Sequence, residues 1–204
     1  FASGPATPPS TDMSSGPRTN WIVVGLAVGS GVLAAFQIGK VPVALSLLRD
    51  DLGLGLVAAG WVISMFNLIS ALGGLPMGAA IGRFGDRRAI LAGLALLAAA
   101  GAYGATAGDT TSILVSRFFE GLGSLMIQVS VPALIQRYAL PGDQRLAFGF
   151  WGSWMGTGQF IIMIAAPFLL ALGGWRGLWI ANAVLVVAFA GIVALATRAP
   201  GIIA

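Results

Sequence analysis

The chain has 204 residues, of which 57% are hydrophobic and only 9% charged, with 11 Lys and Arg against 7 Asp and Glu. A soluble domain carries about 25% charged residues, so an ordinary water-facing fold is excluded and the surface is built for lipid. There is no cysteine and no histidine, which excludes disulfides, thiolate metal sites and His-based catalysis or metal ligation.

Residues 1–20 are rich in Pro, Ser, Thr and Gly, carry only Asp12 and Arg18 as charges, and are expected to form a disordered tail. No basic end, short apolar run and cleavage site precede the first long apolar stretch, so no signal peptide is predicted. The sequence opens on Phe1 rather than Met, and a fragment of a longer product is expected. Six apolar stretches follow, at 21–48, 56–81, 89–108, 112–136, 146–172 and 175–197. Crossing a bilayer takes about 20 apolar residues in a helix that satisfies its own backbone polar groups. An all-α membrane protein with six transmembrane helices is therefore predicted, its bundle covering 21–198 and a C-terminal stub covering 199–204. Connections are short, with Leu140-Pro141-Gly142-Asp143 and Gly173-Gly174 as breakers, so sequential helices are expected to be antiparallel neighbours.

The loop cations set the orientation. With a cytoplasmic N-terminus, the inner side carries Arg18, Arg83, Arg87, Arg88, Arg137, Arg145 and Arg198, and the outer side only Arg49 and Arg176. This bias predicts both termini in the cytoplasm and a multi-pass protein of the plasma membrane. The cations form no run, so nucleic acid is not an expected partner.

Lys40 and Arg117 remain inside predicted helices. A cation at mid-membrane costs about 2.5–3.5 kcal/mol on insertion scales and calls for a reason. Counting about 1.5 Å per residue, Lys40 lies ~13 Å below Arg49, Arg117 ~12 Å below Asp109, and Glu120 one turn deeper. The three share one layer with a net charge of +1, a pattern suited to attracting a small anion. The competing readings are that Arg117 and Glu120 neutralise each other at i,i+3, and that Lys40 snorkels outward. Arg117, Glu120, Ser124 and Gln128 form a polar stripe at helical spacing, and Ser30, Gln37 and Lys40 form another. Ser64 and Asn67 lie one turn apart in the second stretch. Lys40, Arg117, Gln37, Asn67 and Gln128 are the candidate substrate-binding residues, and Glu120 the candidate proton carrier. Gln37 and Asn67 taken singly read equally as interhelical hydrogen-bonding groups, worth about 0.6 kcal/mol each. Gly149, Gly152, Gly156 and Gly158 in the fifth stretch read as packing positions. Trp21, Trp61 and Trp175 read as interface anchors.

Residues 78–88, GAAIGRFGDRR, resemble the cytoplasmic loop signature G-x-x-x-D-[RK]-x-G-R-[RK] of the major facilitator superfamily. Gly78, Arg83, Gly85 and Arg87 match, while Gly82 and Asp86 stand where the family usually has Asp and Arg. Residues 117–123, RFFEGLG, resemble its R-x-x-Q-G-x-G pattern, with Glu120 for Gln. Residues 174–182, GWRGLWIAN, are similar to its G-W-R…F…N entry into the sixth helix. The stretches 37–42 and 48–52 resemble the cyanate-permease-like branch. Gly156-Thr157 lacks the Gly-Pro pair of the drug antiporters and points away from that subgroup. The resemblance implies the N-terminal half of a twelve-helix transporter, with Gly78, Arg83, Gly85, Asp86, Arg87 and Arg88 as a gating loop. Its partners would be the bilayer, a small solute, anionic by the charge of the central layer, and a C-terminal six-helix half or a second copy.

The expected function is therefore a secondary transporter half working by alternating access, with no cofactor and no metal. The alternative is a six-helix binding or partner subunit of a multi-component importer. Enzymatic readings fare worse: a serine nucleophile lacks a His base, and no G-x-x-x-x-G-K-[ST] nucleotide loop occurs.

Overall fold

The computed structural model describes residues 18–197; most of the expected tail, and the stub at 199–204, fall outside them. Among the described residues there are five α-helices: α1 Trp21–Leu52, α2 Leu56–Phe84, α3 Asp86–Ala105, α4 Thr110–Tyr138 and α5 Gln144–Ala196. All five are long and apolar enough to cross a membrane, so the chain is a multi-pass membrane protein.

The fifth and sixth expected stretches are joined in α5, which runs for 53 residues. Straight, it would reach about 80 Å, far beyond a ~30 Å hydrocarbon core. It is not straight. Gly173 (φ −146°, ψ 17°) and Gly174 (φ 60°, ψ −164°) leave helical geometry, at the predicted break. The positive φ of Gly174 is a conformation that a Cβ would strain. The contacts with α1 give the direction of each arm. In the first arm, Trp151 meets Gly31 and Ile162 meets Gly39, so it runs parallel to α1. In the second, Asn182 bonds Gln37 and Phe189 meets Gly29, so it runs antiparallel. The chain thus reverses at the two glycines.

Of the expected sequential pairings among the five helices, α3–α4 is extensive and the others are slight. α1 packs mainly on α5 and α4, α2 on α4, and α3 on α4 and α5, whereas α1 and α2 touch little. A short connection fixes only the ends it joins, and the helices diverge from there toward better-fitting faces. The α3–α4 seam shows such a fit. A Cβ on Gly93 would lie 2.7 Å from the Gly123 carbonyl oxygen, and one on Gly123 would lie 2.8 Å from that of Gly93. Glycines let two backbones meet there, the small-residue packing expected where lipid supplies no hydrophobic drive.

The segment read as a gating loop is mostly helical. Gly78 and Arg83 lie in the last turns of α2, Asp86, Arg87 and Arg88 open α3, and Gly85 (φ 87°) alone separates the helices. Only a residue without a Cβ turns the chain so abruptly. At the N-terminal side, Asn20 caps α1 by accepting from the Val23 N–H at 3.2 Å. Its own N–H donates to the Tyr138 carbonyl at 3.0 Å. The Thr19 hydroxyl bonds the Asp143 carboxylate and accepts from the Leu140 N–H. The start of α1 is thereby fastened to the α4–α5 connection.

Candidate functional site

The layer deduced from residue counting exists as a contact network. Lys40 from α1 and Arg117 and Glu120 from α4 are all at most 1% exposed. Lys40 Nζ donates to Glu120 Oε1 at 2.7 Å and to Gln37 Oε1 at 2.6 Å. Arg117 Nη1 pairs with the other oxygen of Glu120. Its Nη2 donates to the Gln37 carbonyl at 2.9 Å and its Nε to the Val62 carbonyl at 3.3 Å. The carboxylate therefore serves two cations, and two backbone carbonyls take up further N–H groups of the guanidinium. Charge-assisted bonds of this kind are the strong ones, and they oppose the cost of holding ions away from water.

Snorkelling is thus ruled out for Lys40 in this conformation, and Arg117 and Glu120 do pair as i,i+3 neighbours. The second arm of α5 completes the site with two groups. Trp179 lies with its ring centroid 4.3 Å from Lys40 Nζ, where the π-face attracts a cation. Asn182 Oδ1 accepts from Gln37 Nε2 at 2.9 Å. Sequence reasoning gave neither residue a role. A buried Asn in an apolar helix was the available signal, but which helix faced α1 was not deducible from order along the chain.

Other predicted members sit elsewhere. Asn67 and Ser64 are exposed on α2, outside the network. Ser124 is buried and Gln128 half-buried, and the Ser124 hydroxyl and the Gln128 Nε2 make no hydrogen bond among the described residues. Ser30 is buried but bonds the Leu26 carbonyl of its own helix at 2.9 Å. Trp175 is not a lipid-facing anchor: it is 4% exposed, donates to Asp51 at 3.0 Å and meets Trp179 edge-on. At the opposite end of the bundle, Arg83 and Arg88 are exposed. Arg137 approaches Asp86 at 3.9 Å, and the Nε of Arg87 has no partner among the described residues. Glycines of the first arm of α5 divide. Gly158 abuts Val32 and Ala35, whereas Gly149, Gly152 and Gly156 have, among the described residues, no side chain or distant backbone within 4 Å of a notional Cβ.

The profile of the Major Facilitator Superfamily matches residues 21–202. Among curated proteins, the tetracenomycin C resistance and export protein of Streptomyces glaucescens is 27% identical over 180 residues, covering 88% of this chain and 33% of that protein. The human proton myo-inositol cotransporter is 29% identical over 162 residues, 78% of this chain and 25% of that one. Among solved structures, the proton:xylose symporter XylE aligns with a TM-score of 0.77 at 16% identity, covering 87% of this chain and 44% of that one. At such identity the likeness shows the fold alone. The chain spans about a third or less of the length of these curated relatives. None of them supports the cyanate-permease-like placement.

Proposed function

The chain belongs to the Major Facilitator Superfamily, and from that premise we propose that it forms the N-terminal half of a secondary transporter for a small anionic solute. The reading has six spans, the two arms of α5 each crossing once, with both termini in the cytoplasm and the protein in the plasma membrane. A C-terminal six-helix half, or a second copy, supplies the opposing wall, and alternating access moves the solute between them. The observation that carries the proposal is the buried Lys40–Glu120–Arg117 trio, with a fixed charge of +1 in the bundle.

Glu120 is the counter-ion of both cations. Proton uptake there raises the fixed charge of the trio from +1 to +2 and frees two donors. An anion entering at that moment replaces the lost carboxylate charge, which links one proton to one monoanion. The cluster is sealed at 0–1% exposure within this half by itself, so the solute meets it only when α1, α4 and the second arm of α5 part. Gln37 lies inside the network, while Asn67 on α2 and Gln128 on α4 would contribute from outside it. Around Gly85, the arginines at 83, 87 and 88 together with Asp86 and Gly78 would hold one gate state.

The test is transport by the natural full-length product in proteoliposomes, comparing anionic with neutral analogues at several pH values. Arg117→Ala and Lys40→Ala are each expected to lower anion transport at least tenfold. Rates equal to wild type in both variants would remove the anionic part of the proposal.

A further inference from the structure

Lys40, Gln37 and Asn182 form a chain of hydrogen bonds whose polarity is dictated at one end. An ammonium only donates, so the group that Gln37 turns toward Lys40 at 2.6 Å is its Oε1. Its Nε2 then points away and needs an acceptor, which is Asn182 Oδ1 at 2.9 Å. The Asn182 Nδ2 is left over and makes no hydrogen bond among the described residues. Every link is buried: Lys40 at 0%, Gln37 at 1% and Asn182 at 3% exposure.

We infer that Asn182 is a positioning residue for Lys40, acting through Gln37 by locking that amide with its oxygen toward the ammonium. Without the Asn182 oxygen, the Gln37 NH₂ has no acceptor on that side and the amide is held at one end only. It is then free to swing away, and the ammonium loses a fixed oxygen. Trp179 lies on the same arm, three residues earlier, and holds its ring beside the ammonium. One face of the second arm of α5 thus sets where the Lys40 charge sits. The inference rests on reading the trio as the transport site, but the geometry it concerns is measurable without any solute.

Lys40 is the one lysine of this sequence, so amine chemistry reports on it alone within these residues. The experiment treats the natural full-length protein, folded in detergent, with formaldehyde and a borohydride, and follows dimethylation of the Lys40 peptide by mass spectrometry. Asn182→Leu and Gln37→Met are each expected to speed modification about tenfold, and the double variant no further. Leu178→Ala, a fully buried neighbour outside the chain of bonds, controls for general loosening and is expected to leave the rate near wild type. Multiplying effects in the double variant, an unchanged rate in Asn182→Leu, or an equal rise in Leu178→Ala would each overturn the inference. If Asn182→Leu is not recovered folded, Asn182→Ala removes the same oxygen without added bulk and carries the same expectations. Faster modification of Asn182→Leu with undiminished transport would leave the positioning role standing and defeat the transport-site reading instead.

Discussion

Two sets of basic residues in this bundle are held in opposite ways. In the middle, Lys40 and Arg117 share one carboxylate, reach backbone and amide oxygens, and are closed off from solvent. At the α2–α3 turn, Arg83 and Arg88 are exposed, and the ion pair from Arg137 to Asp86 spans 3.9 Å, with Arg137 66% and Asp86 12% exposed. Charge type is the same in both places; the surroundings are not. Removing one partner of a buried pair strands the other charge, at about 3–5 kcal/mol, whereas an exposed pair is worth about 0–1 kcal/mol. Stability is therefore expected to depend on the middle set and to be nearly indifferent to the other, which remains free to make and break contacts.

The contrast is broken most directly at Glu120. Glu120→Gln leaves two buried cations without their carboxylate and is expected to cost about 3–5 kcal/mol, read as a lower midpoint of thermal unfolding in detergent. Adding Lys40→Met to that variant should restore part of the loss, and an undiminished loss would mean that the charges do not sense each other. Gly93→Ala probes a neutral contact in the same interior. Its Cβ would lie 2.7 Å from the Gly123 carbonyl oxygen, so α3 and α4 must move apart, at about 1–3 kcal/mol. Asp86→Ala, in the second set, is expected to change stability by less than about 1 kcal/mol, and a larger loss would place the turn among the structural elements. The smallest effect concerns Asp109, where hydrogen bonds from Ser112, first its backbone N–H, hold the exposed carboxyl below the ordinary 3.8. A carboxyl lowered on folding stabilises above 3.8 and loses that contribution as pH falls through its folded value. Asp109→Asn should thus differ from wild type near neutral pH and converge with it in strong acid.

The central layer was legible because a helix fixes depth: similar counts from the outer ends of α1 and α4 put Lys40, Arg117 and Glu120 within about one turn of each other. Depth does not give azimuth. Ser64 and Asn67 have the same spacing as buried polar pairs, yet their face of α2 is turned outward, since periodicity groups residues on a face without saying what it meets. Nor did order along the chain give neighbours. Asn182 and Trp179 reach Lys40 because α1 packs on α5, a pairing decided by complementary surfaces such as Gly29 under Phe189 and Gly39 under Ile162. The α2–α3 signature was found by its letters, but its glycines suggested a loop where a single residue, Gly85, makes the turn.

Lys40 and Glu120 are 80 residues apart in the chain, and that separation is also an interval during synthesis. At about 5–20 residues per second, the ribosome takes roughly 4–16 s to make Glu120 after Lys40. Through that time α1 holds an ammonium that has yet to meet its carboxylate. The mean hydropathy of 2.0 in its most apolar window is what keeps the nascent helix in the bilayer while the cation waits.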